Sequence, residues 1–211
     1  MKPLTYTLIT DGSSDAVLMR IVDWLLRQHL PDMPIAGEWA DFRQFRTPPK
    51  NLDDRITQTI ALYPCEVLFI HRDAETKTID DRRDEIDRAI RQANVNHPYI
   101  CVVPVRMQEA WLLLDETAIR WAAGNPNGKR ALDLPNYSHI EAIPDPKELL
   151  YDTLKTASEL GRKRLKKFRP NQRIHRITDY IEDYSALRNL SAFEIFEDGL
   201  INTLSQMELI S

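Results

Sequence analysis

Residues 4–26 read LTYTLITDGSSDAVLMRIVDWLL, and this stretch decides the fold. Leu4 to Thr10 is rich in β-branched and aromatic residues and stops at Asp11-Gly12, a turn signal, so it reads as a strand. Directly behind the turn, Val17, Leu18, Ile21, Val22, Leu25 and Leu26 recur at helical spacing, which predicts a helix starting near Ser13 or Ser14. Strand, tight turn and helix follow one another within a single short segment.

The same alternation continues outward. Prolines 31, 34, 48 and 49 punctuate the next segment, where a short strand is expected around Ile35 to Ala40. Leu52, Ile56, Ile60 and Leu62 predict a second helix, and the apolar run Val67 to Ile70 predicts a strand buried on both faces. A third helix is expected from Ile79 to Ala93, with Ile86, Ala89, Ile90 and Ala93 facing inward, and a further strand from Tyr99 to Val105. Strands alternating with helices predict an α/β fold: a parallel sheet of about four strands covered on both faces. Beyond Val105 the alternation stops. Glu109 to Ala122 reads as a helix, the segment from Gly124 to Tyr137 is turn-rich, and the chain is helical again from Pro146. The expected organisation is a core over residues 1–123 and a helical extension over 124–211 packed on it.

Composition narrows the function classes. Hydrophobic residues make up 43% of the 211 positions and charged residues 28%, the balance of a folded globular chain. Cys65 and Cys101, the only cysteines, sit beside apolar runs and suit a reducing compartment. No Cys-x-x-Cys pair and no closely spaced histidine pair offers a structural zinc site. The first ten residues lack the apolar stretch of a signal peptide, and no uncharged run has the length of a membrane span, so a cytoplasmic protein without membrane contact is expected. Trp24, Trp39, Trp111 and Trp121 invite a ligand-stacking reading, although Trp24 and Trp111 lie within apolar helical patterns that suit the core.

In a parallel sheet the carboxyl ends of the strands open on one edge, where ligands bind. Asp11 leaves the first strand there with Asp15 a helical turn behind it, and Asp73 and Glu75 leave the strand at Val67 to Ile70. Asp73 and Glu75 are two apart, so extended backbone would point both to one side. Carboxylates gathered in this way repel unless a cation compensates, and a few hard oxygen ligands describe a Mg²⁺ (or Mn²⁺) site. Each acid also has a plainer reading, as a helix cap or a solvated loop acid. The net charge of −4 conceals an asymmetry: no acid occurs between Glu159 and Asp179, while Arg162, Lys163, Arg164, Lys166, Lys167, Arg169, Arg173 and Arg176 crowd that stretch. Such a run suits nucleic-acid phosphates, a solvated face, or an acidic partner.

Asp11-Gly12-Ser13-Ser14-Asp15 resembles the acidic-Gly-x-x-acidic motif that opens a TOPRIM domain, and Asp73-Ala74-Glu75 resembles its Asp-x-Asp motif. The similarity is greater to a TOPRIM-like family of unknown function, often encoded beside AAA-type ATPases and related to the overcoming-lysogenization-defect nucleases. Its pattern continues through Glu109 to Asp115, Asp145-Pro146-Lys147 and Leu187 to Phe193. The resemblance implies a Mg²⁺-dependent phosphodiester hydrolase, a nuclease acting with an ATPase partner in phage defence. It implies Asp11 and Asp73 as catalytic residues, Asp11, Asp73, Glu75 and Glu109 as metal ligands, and Asp15 as an orienting acid; the sequence leaves the oligomeric state open, a homo-oligomer included. Two positions depart from the motif: Asp11 stands where the longer glutamate is usual, and Glu75 where aspartate is. A degenerate site that binds a metal, a phosphate or a partner without turnover is therefore the alternative. A metal-adhesion site of the von Willebrand A type would need a serine at Asp15, and a receiver domain would need a lysine after a fifth strand.

Overall fold

The computed structural model describes residues 2–210, with Gln44 described by its backbone alone. Its first half consists of β1 (Leu4–Ile9), α1 (Leu18–His29), β2 (Ile35–Trp39), α2 (Leu52–Leu62), β3 (Val67–His71), α3 (Ile79–Ala93) and β4 (Tyr99–Val102). The four strands form one all-parallel sheet in the order β2-β1-β3-β4. The protein is thus α/β, with helices on both faces of the sheet.

Alternation along the strands explains the two faces. Tyr6, Leu8, Val67 and Phe69 pack with Leu18, Ile21, Val22, Leu25 and Leu26 of α1, while Ile9, Leu68 and Ile70 pack with Ile56 of α2 and Ile86 and Ile90 of α3. Each of those α1 residues is at most 1% exposed, and burying a side chain of this size contributes about 1.5–3 kcal/mol. Gly37 of β2 lies against the Tyr6 ring, where a Cβ would overlap it, and the Tyr6 hydroxyl donates to Asp23 Oδ1 at 2.7 Å.

The second half supplies α4 (Glu116–Ala123), α5 (Tyr137–Ile140), α6 (Pro146–Ser158), α7 (Arg162–Leu165), α8 (Ile174–Ile177) and α9 (Ser191–Gln206). Phe193, Phe196, Leu200 and Leu204 of α9 join the α1 face of the sheet. Helices α4, α6 and α8 share another apolar cluster, which Val17 also enters. Among the described residues no helix is long and apolar enough to cross a membrane.

Three element boundaries differ from expectation. Ser13–Val17 is a 3-10 turn, and the α-helix begins only at Leu18. The helix expected from Glu109 to Ala122 is split into a 3-10 turn at Gln108–Leu112 and α4, because the Asp115 side chain accepts the Ala118 N–H at 2.8 Å and starts a new helix. Strand β4 ends at Val102 rather than Val105, close to Pro104, which has no N–H to offer a ladder. The carbonyls of Val102 and Pro104 nevertheless accept from Arg72 and Ala74, at 3.2 and 3.1 Å, carrying the pairing past the end of β3.

Candidate functional site

Strands β1 and β3 are parallel neighbours with Ile9 opposite Ile70, so their ends deliver Asp11 and Asp73 to the same edge. The chain departs from this pair in opposite directions, to β2 on one side and β4 on the other. Parallel sheets bind ligands at such a reversal.

A line of buried polar groups runs across it. The Asp15 carboxylate accepts from Gly12 N–H at 2.8 Å, Ser14 Oγ at 2.9 Å and Gln108 Nε2 at 2.9 Å. The backbone N–H of Gln108 donates to Asp73 Oδ1 at 2.9 Å, so this one residue spans both acids. Between them lies His71, its side chain fully enclosed, with Nε2 3.2 Å from Asp73 Oδ1 and Nδ1 3.6 Å from Asp15 Oδ2. Burial pulls the His71 pKa down, but the hydrogen bond to Asp73 and the charges of Asp73, Asp15 and Asp11 outweigh it and leave the pKa raised. Among the described residues His71 Nδ1 and Gln108 Oε1 are buried without a hydrogen-bond partner. Buried groups left unpaired cost free energy, which a fold tolerates most readily where a ligand is handled.

Three of the four acids expected to share a cation face an arginine or lysine of the chain instead, and the fourth, Asp73, faces His71. Asp11 meets Arg55 at 3.0 Å and Arg72 at 2.9 Å, and Arg72 also reaches Glu85 at 2.9 Å. Glu75 does not continue the extended backbone of β3: its φ of 55° is left-handed, and its side chain turns to Arg82 at 2.9 Å. The neighbouring Arg106, with φ of 61°, is left-handed too, and accepts the Glu75 N–H at 2.8 Å. Two non-glycine residues in that region concentrate backbone strain at this edge. Glu109 is 1% exposed and faces Lys147 of α6 at 3.2 Å. Burial raises its pKa; Lys147 opposes the rise and Asp73 adds to it.

Hence Asp11, Asp73, Glu75 and Glu109 do not converge as one ligand set. Among the described residues no three His, Cys, Asp or Glu side chains are placed to hold a metal ion. The residues as arranged do not fit a carboxylate-bound Mg²⁺ or Mn²⁺. The mutual repulsion that would call for a cation is offset by Arg55, Arg72, Arg82 and Lys147.

The basic stretch is organised differently. Arg162, Lys163 and Arg164 lie on α7, Arg176 lies on α8, and Lys166, Lys167, Arg169 and Arg173 lie between them. All eight are exposed except Arg173, which is half-buried. Among the described residues none of them forms an ion pair. Ile174 and Ile177 of α8 pack with Val17, so this segment is fastened to the turn that carries Asp15.

The sequence did not single out His71, Gln108, Arg55 or Arg72. His71 was within reach, since it stands two residues before Asp73 and extended backbone puts both on one side. The arginines come from α2 and the end of β3, and only the folded chain brings them to Asp11. Gly12 carries a different signal. Its backbone is extended, and a Cβ there would meet Asp15 at an ordinary 3.5 Å, so neither conformation nor packing requires glycine. Close approach of a ligand to the backbone is one use of a glycine at such a position. No protein-family model, curated protein or solved structure matches the chain.

Proposed function

We propose that the chain is a TOPRIM-like domain that binds nucleic-acid phosphodiesters along residues 162–176 and presents them to the β1–β3 edge. The observation that carries this reading is the set of eight cations that form no ion pair among the described residues, on a segment anchored beside the Asp11–Asp15 turn. A chain of net charge −4 has acids to spare, yet leaves these cations to a partner. At the edge, Arg55 and Arg72 are the groups for an incoming phosphate, which would compete with Asp11 for them. An AAA-type ATPase partner and a role in antiviral defence follow from the sequence resemblance alone.

Hydrolysis is the second reading, and one observation favours it. Among the described residues both hydrogen bonds accepted by the Asp73 side chain fall on Oδ1, and the side chain is 27% exposed. Held by His71 and Gln108, its other oxygen is available to take a proton from a water attacking a phosphodiester.

The two readings separate in one experiment, with purified protein and labelled single- and double-stranded DNA, RNA and transfer RNA in EDTA, Mg²⁺ or Mn²⁺. Salt-sensitive binding in EDTA is expected. Failure to bind any of these at low salt overturns the proposal. Cleavage that Asp73→Asn abolishes establishes the hydrolase, and binding without cleavage under every condition establishes the binding module.

A further inference from the structure

Beside the Asp11–Gly12 turn lies a cleft of about 200 Å³, lined among others by Thr10, Gly12, Trp39, Phe42, Arg43 and Arg55. From it we infer that the protein holds a nucleobase on the face of Trp39, with the attached phosphate toward Arg55. This deepens the nucleic-acid reading and rests on it. Trp39 is the last residue of β2, an edge strand, and lies opposite Leu8 of β1, so it projects at the ligand-binding edge.

The indole is not loose. Its Nε1–H donates to Thr10 Oγ1 at 3.0 Å, and that hydroxyl donates to the Gly12 carbonyl at 2.9 Å. The ring is thereby tied to the acidic turn and keeps a fixed orientation toward it. Over its face, 4.9 Å from the centroid, stands the Arg43 guanidinium, which hydrogen-bonds Asp41 at 2.8 and 2.7 Å on a side chain 63% exposed. A planar cation on an aromatic face occupies the position of a stacked base, and an exposed guanidinium leaves it at little cost. Arg55, whose NH1 binds Asp11 Oδ1 at 3.0 Å and the Thr10 carbonyl at 3.3 Å, lines the same cleft. Base platform and phosphate partner are thus built around one residue, Thr10. The cleft volume suits a single base rather than a stack. Recognition of base as such, with little sequence preference, is the expected chemistry.

The test compares AMP with ribose 5-phosphate, which keeps the phosphate and lacks the base, on the full chain. AMP should quench tryptophan fluorescence and bind more tightly than ribose 5-phosphate. Trp39→Ala should weaken AMP by about tenfold, within the range set by stacking on an aromatic ring, and leave ribose 5-phosphate unchanged. Trp39→Phe, which keeps a ring, should restore AMP binding to within a few-fold; melting curves show that each variant is folded. Equal affinity of wild type for the two ligands, or AMP binding that survives Trp39→Ala, overturns the inference. Either result would still allow salt-sensitive polynucleotide binding through residues 162–176, so loss of the base site and loss of the nucleic-acid reading are distinguishable.

Discussion

The β1–β3 edge and the stretch 162–176 are both dense in charge, but they spend it in opposite ways. At the edge Asp11, Glu75 and Glu109 each face an arginine or lysine, and Asp15 and Asp73 flank a histidine whose pKa is raised. Along 162–176 all the cations but the half-buried Arg173 are exposed, and the aromatic rings of Phe168 and Tyr180 lie under Arg173 and Arg176. Internally satisfied charge fixes geometry, whereas unsatisfied charge waits for a counter-ion from elsewhere. The edge is therefore the pre-organised part of the molecule and the basic stretch the part that recruits.

The largest effect should come from removing recruiting charge. Arg164, Lys166 and Lys167 changed together to Ala should reduce the slope of log affinity for a polynucleotide against log salt by about two to three, since each phosphate contact contributes about 0.7–0.9. Stability should change little, because these side chains are exposed and form no ion pair among the described residues. A variant that melts earlier and keeps the slope would transfer this stretch from the recruiting to the structural side of the comparison.

At the edge the corresponding change should cost stability. Asp73→Asn removes a carboxylate that accepts from Gln108 N–H and His71, a loss of about 1–3 kcal/mol in stability at neutral pH. The effect should depend on pH with a definite sign. A histidine whose folded pKa is raised contributes stability that is complete below its unfolded value near 6.5 and is lost as pH rises through the higher folded value. Wild-type stability should thus decline across that window, and Asp73→Asn should flatten the decline. An asparagine variant that is as stable as wild type would show that the carboxylates repel one another after all, as the acid-rich motif had suggested.

The fold was legible because its signal is local. β-Branched and apolar runs located β1 and β3, helical spacing located α3, and the capping box of Thr78 and Asp81 starts α3 where its apolar pattern begins. The site was legible only in part. Acids at strand ends can be found from the chain alone, and Asp11 and Asp73 do share an edge. Their electrostatic state cannot, because Arg55 is 44 positions from Asp11 and Gln108 is 93 from Asp15. Glu75 eluded expectation for a backbone reason: the left-handed turn after Ala74 sends its side chain to Arg82 and away from Asp73.

The smallest effect on stability separates fold from function at one atom. Gly12 has φ of −128° and ψ of 166°, which any residue adopts, and a Cβ would lie 3.5 Å or more from its neighbours. Gly12→Ala narrows the unfolded ensemble without straining the native one, so it should stabilise the protein by about 0.4–1 kcal/mol. Gly12 itself lines the cleft that Thr10, Trp39 and Arg55 share. If a ligand approaches the backbone there, the same variant should bind AMP and short oligonucleotides several-fold more weakly while melting at the same temperature or higher. Those two measurements must move in opposite directions. A variant that gains stability and keeps full affinity would show that the ligand stays clear of Gly12, and a variant that loses stability would return the glycine to the fold.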